Sequence, residues 1–248
     1  MTHALTHALL RRADDALVLG HRLSEWCGHA PMPEEDLALA NLALDQIGLA
    51  RALYGAVSVE LGRGEDELAY FRDARGFLNC LLVEQENGDF AVTIVRQFLY
   101  SAWADPFWRA AVASRDAGLA AIAGKAEKET AYHLRHAAEW LARLGDGTAE
   151  SHARAADALA LLWPYTGELT ASDPTEAGLV ASGILPDPAA LRPVWEATIA
   201  RVLGRAGLAR PEDGWMRTGG RAGLHGEAFG KMLAEMQSLA RAHPGAVW

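Results

Sequence analysis

Lys128-Glu129-Thr130-Ala131-Tyr132-His133 sits at the middle of a long apolar-periodic run that Asp116 opens as an N-cap and Gly145 closes. Thr130 and His133 are three apart, so on a helix they share one face. A second stretch, Leu44-Asp45-Gln46-Ile47-Gly48-Leu49, holds the corresponding place in a run that begins at Pro33. There Leu37, Ala40, Leu44, Ile47, Ala50, Tyr54, Val57 and Leu61 recur at three- and four-residue steps, which predicts one stripe of a long helix. Outward from these two, a helix is expected over about Thr6 to Cys27 through Leu9, Leu17, Leu23 and Trp26, with Gly28 and Pro31 ending it. Gly88-Asp89 opens another that runs to about Ser114. These four long segments make a helical bundle.

Further helices are expected over about Ser151 to Leu169, with Pro164 as a kink or stop, and over Leu191 to Leu203, entered through Pro193. Residues 171–188 read as irregular structure around a short helix, Gly219 to Gly223 as a loop, and Glu227 to Ala242 as the last helix. Alanine and leucine dominate, β-branched residues are sparse, and no alternating stretch exceeds a few residues. The expectation is an all-α protein: a single domain over residues 1–248, with a core bundle at about 6–145 and additional helices at about 151–242.

With 248 residues, half of them apolar, the chain can bury a substantial core. A net charge of −9 and only three lysines, Lys125, Lys128 and Lys231, leave no basic stripe, and the arginines are scattered along the sequence. Nucleic acid is therefore not an expected partner. Cys27 and Cys80 have no C-x-x-C spacing and read as buried, reduced thiols. No apolar stretch approaches the ~20 residues that span a bilayer, and the N-terminus lacks a basic segment followed by an apolar one. No membrane association is expected, and the protein should be cytoplasmic.

The bundle frame invites a test for metal. A ferritin-like di-iron protein draws one carboxylate from each of two helices and a Glu-x-x-His pair from each of the other two. On the 116–145 helix, His133 has the histidine's place and Thr130 the glutamate's; on the second helix those places hold Gln46 and Leu49. The third helix offers Ser101, with Asp105 one turn further on, and the first offers Glu25. Asp45 and Glu129 are carboxylates beside the required positions, but one residue turns a side chain by ~100° about the helix axis. The set Glu25, Gln46, Leu49, Ser101, Thr130 and His133 has one anion where di-iron needs about four.

Plainer readings stand beside each of these. Glu25 is also a natural surface carboxylate, His133 and His136 are also hydrogen-bonded histidines, and Glu129 with His133 forms an intrahelical i,i+4 neighbour pair. The eight tryptophans fall mostly on apolar stripes, with Trp140, Trp215 and Trp248 as candidate interface anchors. The alternative function is an independent ferritin-like metal-dependent oxidase or oxygenase that uses Glu25, Glu129, His133 and His136 in a rearranged site. A helical acyl-CoA binding module is a third.

Several stretches together resemble the PaaC family, the non-catalytic ferritin-like subunit of the bacterial phenylacetyl-CoA ring-1,2-epoxidase. They are Leu-Ser-Glu-Trp-Cys-Gly-His-Ala-Pro (23–31), Asp-Leu-Ala-Leu-Ala-Asn (36–41), Leu-Leu-Val-Glu-Gln-Glu-Asn-Gly-Asp-Phe (81–90), Lys-Glu-Thr-Ala-Tyr-His-Leu-Arg (128–135) and Arg-Thr-Gly-Gly-Arg-Ala-Gly-Leu-His (217–225). Met-Leu-Ala-Glu-Met-Gln in the last helix and the final Pro-Gly-Ala-Val-Trp agree as well. The resemblance implies a structural subunit of a di-iron monooxygenase complex that epoxidises the ring of phenylacetyl-CoA in phenylacetate catabolism. It implies no cofactor in this chain and di-iron in a homologous catalytic oxygenase subunit. A small bridging subunit and a flavin and iron-sulfur reductase are further implied partners, and a homodimer stays open. In the catalytic relatives the places of Glu25, Gln46, Leu49, Ser101, Thr130 and His133 would carry the iron ligands; here only Glu25 and His133 are of the right type. The 217–225 loop, with Arg217, Gly219, Gly220, Arg221 and His225, either packs internally or docks a partner.

Overall fold

Helix boundaries follow from capping chemistry. In the computed structural model, which describes residues 2–246, the Thr2 hydroxyl accepts from the Leu5 N–H and opens α1 (His3–Ser24). Pro33 occupies the first turn of α2 (Pro33–Leu61), where its missing N–H costs nothing, and Gly62 ends that helix in the left-handed conformation at φ 62°. A short α3 (Glu65–Tyr70), which the periodicity does not predict, follows with three acidic residues in its first turn. Asp89 accepts from the Val92 N–H to open α4 (Phe90–Ala111), and Asp116 does the same for Leu119 at α5 (Ala117–Gly145). A Thr148–Ser151 capping box opens α6 (Ala149–Leu162), and Asp187 opens α8 (Pro188–Ala206) after the short α7 (Ala177–Ala181). The last helix, α9, is Glu227–Ala242. Every described helix is α or 3-10, and no strand occurs among the described residues. The protein is all-α, in keeping with a ferritin-like helical bundle.

Two compact units emerge within 2–246. One takes the chain up to Glu86 and again from Thr218 onward; the other is Asn87–Arg217. In the first, α1 and α2 form a long hairpin, α3 packs on α2 and α9, and α9 reaches the 3-10 turn Ala74–Gly76. At Gly20 the hairpin closes tightly, for a Cβ there would stand 3.0 Å from Ile47 Cγ1 and 3.2 Å from the Ala43 carbonyl oxygen. Phe77 and Phe229 meet edge to face at 5.6 Å in its core. In the second unit, α4 and α5 form the hairpin, and α6 and α8 pack on both. The Trp195 indole N–H donates to the Leu99 carbonyl and its ring leans on Trp163 at 5.6 Å. Gly145 brings the end of α5 against α8, where an added Cβ would fall 2.1 Å from the Ala206 carbonyl oxygen. The helices expected as additions to a 6–145 core are thus divided, α9 with the first hairpin and α6 to α8 with the second.

Several expectations change. The stripe assigned to α2 is not one face: Ala50, Tyr54 and Val57 are buried, but Leu37 and Leu44 are 67% and 65% exposed, and Leu39, Leu42, Ala43, Gln46, Leu49 and Leu53 line the buried side. Apolar residues surround this helix, so a three-and-four count can be started on either face. The α8 helix begins at Pro188 because Asp187 caps it, which leaves Pro193 inside. Past Leu162, the fifth expected helix breaks into two 3-10 turns, Trp163–Tyr165 and Gly167–Leu169, the first with Pro164 in it. Cys80 is buried as expected, whereas Cys27 is exposed, and both are free thiols. Trp248 and the end of the Pro-Gly-Ala-Val-Trp stretch lie outside the described residues. Among those described, no helix is long and apolar enough to cross a membrane.

Candidate functional site

The six predicted ligand positions can be followed hairpin by hairpin. On α2, Gln46 and Leu49 do point into the protein, at 2% and 7% exposure. The α1 residue level with them is Gly20, whose absent Cβ would stand 3.3 Å from the Cβ of Gln46. Glu25 does not share that buried level. It is the exposed C-cap residue of that helix, past its last turn, and its carboxylate accepts from Arg22 at 2.9 Å. At the candidate level this hairpin therefore supplies a glycine, an amide and an alkyl group.

In the second unit, Ser101 on α4 and Thr130 and His133 on α5 are buried at 1%, 2% and 1% exposure. The Ser101 hydroxyl accepts from the Gln97 side chain at 2.9 Å, and the Thr130 hydroxyl donates to the Ala126 carbonyl at 2.8 Å. Both hydroxyls are thereby engaged in bonds along their own helices. Glu129 is held by Lys125 one turn back, at 3.2 Å, and Asp105 is held by Arg109 at 2.9 Å. The donors at the six positions include one interior imidazole and no interior carboxylate. Such a set does not fit di-iron, whose positive charge needs several anionic oxygens. Among the described residues no three His, Cys, Asp or Glu converge as a metal site needs.

The buried negative charge of the first unit lies elsewhere. Asp14 and Asp15, adjacent on α1, are both fully buried. Asp14 accepts from both terminal nitrogens of Arg72, from the Tyr54 hydroxyl at 2.6 Å and from the Leu78 N–H at 2.8 Å. Burial and the Asp14 charge push the Tyr54 phenol well above its ordinary pKa. Asp15 accepts from Arg221 through both oxygens, at 2.9 and 2.7 Å, and from the Cys80 N–H at 2.7 Å. Burial pushes the Asp15 carboxyl above the usual range even though Arg221 pulls the other way. Glu84 accepts from Asn79, His225 and the Gly226 N–H, while Arg22 donates to the Glu84 backbone carbonyl. The Asp14 and Asp15 carboxylates thus tie the segment 71–86 and the loop 219–226 to α1, and the Glu84 carboxylate ties the segment to the loop.

Of the two readings of that loop, internal packing describes most of its positions in this clasp. Gly220 is buried, Arg221 turns inward to Asp15, and the His225 side chain is 3% exposed. Gly219, at φ 134°, shapes the turn, and at Gly223, φ 75°, a Cβ would meet the Arg75 carbonyl at 2.4 Å. Arg217 is the exception: it is exposed and lies over the rings of Tyr165 and Trp215, at 5.3 and 5.5 Å. Trp215 itself is 76% exposed, while Trp140 is half-buried with its ring edge-on to Phe90.

His225 has a pH consequence. Its Nδ1 lies 2.6 Å from Glu84 Oε2 and its Nε2 lies 2.9 Å from the Phe77 carbonyl oxygen, so both nitrogens face acceptors and the ring must carry both protons. Burial opposes that charge, but the bonds to Glu84 and Phe77 outweigh it and hold the pKa above the ordinary histidine value. The contribution to stability is complete below the unfolded-state value and is lost as pH rises through the folded one. Urea midpoints should fall as pH climbs above about 6.5, and His225→Gln should flatten that fall. A variant whose pH profile matches the parent would show that the ring is not held as an imidazolium.

Known proteins are similar to this chain over almost all of its length. A relative is a subunit of the 1,2-phenylacetyl-CoA epoxidase of Escherichia coli (strain K12), 48% identical over 245 residues, which cover 98% of this chain and 99% of the relative. The clasp residues and the ligand-poor interior both fall within a match to the family model described as phenylacetic acid catabolic protein, which spans residues 1–248. The chain belongs to the phenylacetic acid catabolic protein family.

Proposed function

We propose that this chain is the non-catalytic subunit of a phenylacetyl-CoA epoxidase complex in phenylacetate catabolism, standing beside a homologous subunit that carries di-iron. The observation that carries the reading is the chemistry at the candidate ligand level: Gly20, Gln46 and Leu49 in one hairpin, and Ser101, Thr130 and His133 in the other. A hairpin that buries no carboxylate there avoids the cost of desolvating one, which suits a supporting role. The Escherichia coli relative is a subunit of an epoxidase, so the partners of this chain are the other subunits of such an assembly. Among the described residues, Arg217 and Trp215 are exposed members of the expected interaction set and stand available to one of them.

The test is co-expression with a homologous catalytic subunit in iron-replete medium, followed by metal analysis of the complex and of this chain alone. The two chains should co-elute with ring-epoxidising activity, and the iron should travel with the partner. Stoichiometric iron in this chain by itself would overturn the proposal in favour of an independent metal enzyme.

A further inference from the structure

Arginines that are scattered in sequence gather in one groove of the second unit. Arg109 from α4, Arg135 from α5 and Arg201 with Arg205 from α8 line a depression of about 220 Å³, together with Asp105 and Glu139. Each helix contributes an i,i+4 pair, so the side chains of each pair rise from the same helix face. Four guanidiniums against two carboxylates leave the groove with a surplus of positive charge in a chain of net charge −9. Two of the four are already aimed: Arg109 donates to Asp105 at 2.9 and 3.2 Å, and Arg205 to Glu139 at 2.9 Å. Arg135 has only the face of Tyr132, 5.4 Å from its guanidinium carbon, and Arg201 has no hydrogen bond or ion pair among the described residues.

We propose that this groove binds a compact phosphate-type anion, a phosphate or diphosphate group, through Arg135 and Arg201, with Arg109 and Arg205 supplying further positive charge. Planar forks on neighbouring helices suit the several oxygens of a phosphate better than a single carboxylate, which one fork satisfies. Asp105 and Glu139 set the limit of size, because an extended polyanion laid along the groove would meet their charges. The apolar floor of Leu134 and Ala138 lowers the local dielectric and strengthens what remains. This inference is independent of the subunit assignment, and either can fail without the other.

Titration calorimetry of the full chain at low salt, in a buffer free of phosphate, tests it with inorganic pyrophosphate as the probe. Saturable one-to-one binding is expected, weakened by about tenfold or more in Arg135→Ala/Arg201→Ala and unchanged in Arg192→Ala, an exposed arginine on α8 outside the groove. Adenosine diphosphate forms a second arm: affinity equal to that of pyrophosphate supports a site for the diphosphate alone, and tighter binding lost in the same double variant supports one that also takes the nucleoside. Absence of saturable binding, or binding that the double variant leaves intact, would overturn the proposal. So would binding of a polyglutamate peptide without pyrophosphate binding, which would assign the groove to protein contact.

Discussion

Asp14→Ala should lower the folding stability by about 3–5 kcal/mol, the range for removing one partner of a buried ion pair. The loss comes from what is left behind. Arg72, with 5% of its side chain exposed, would keep its charge and its bonds to the Leu68 and Gly76 carbonyls but would have no anion. The Tyr54 hydroxyl and the Leu78 N–H would lose the acceptor at the centre of their cluster. Asp14→Asn keeps the shape and one acceptor oxygen, so it should cost less, about 1–3 kcal/mol. Urea unfolding of the two variants against the parent measures both. If Asp14→Ala unfolds at the parent's midpoint, the cluster contributes nothing to the fold.

Arg221→Ala should be nearly as damaging, again about 3–5 kcal/mol, because Asp15 is fully buried and keeps only the Cys80 N–H and more distant positive charge. Burial already raises that carboxyl, and without Arg221 it would rise further, so the variant should regain part of its stability at lower pH, where Asp15 is neutral. The double variant Asp15→Asn/Arg221→Ala removes the stranded charge and should be more stable near neutral pH than Arg221→Ala alone. A double variant no better than the single one would mean that the loop's packing, and not the ion pair, holds segment 219–226 in place.

Legibility of the fold in the sequence depends on whether a signal is local. Asp89, Asp116, Pro33 and Gly62 act within one turn of themselves, and the helices they bound lie close to the expected positions. The face of α2 is less legible because leucines surround it, and only tertiary packing decides that Leu39 and Leu42 go inside while Leu37 and Leu44 do not. The shared burial of Gln46 with Leu49 and of Thr130 with His133 follows from the three-residue spacing of a ligand template, which is again local. Ser101 and Glu25 are lone positions for which the template fixes no register, and of the two only Ser101 is buried. The clasp escapes a sequence reading altogether, since Asp14 and Asp15 find their partners 58 and 206 residues away. One hint is present: two adjacent aspartates in a helix whose flanks, Ala13 and Ala16-Leu17-Val18-Leu19, are apolar. The gathering of Arg109, Arg135, Arg201 and Arg205 is likewise invisible until three helices are laid side by side.

The tight approach at Gly20 limits what a substitution can install between α1 and α2. A carboxylate at that level would need α1 and α2 farther apart to seat it. Even a methyl group at position 20 would press on Ile47 and the backbone of Ala43. Any acidic side chain placed at position 20 would first require the helix pair to be re-spaced, so a substitution there alone cannot add an interior carboxylate at this level.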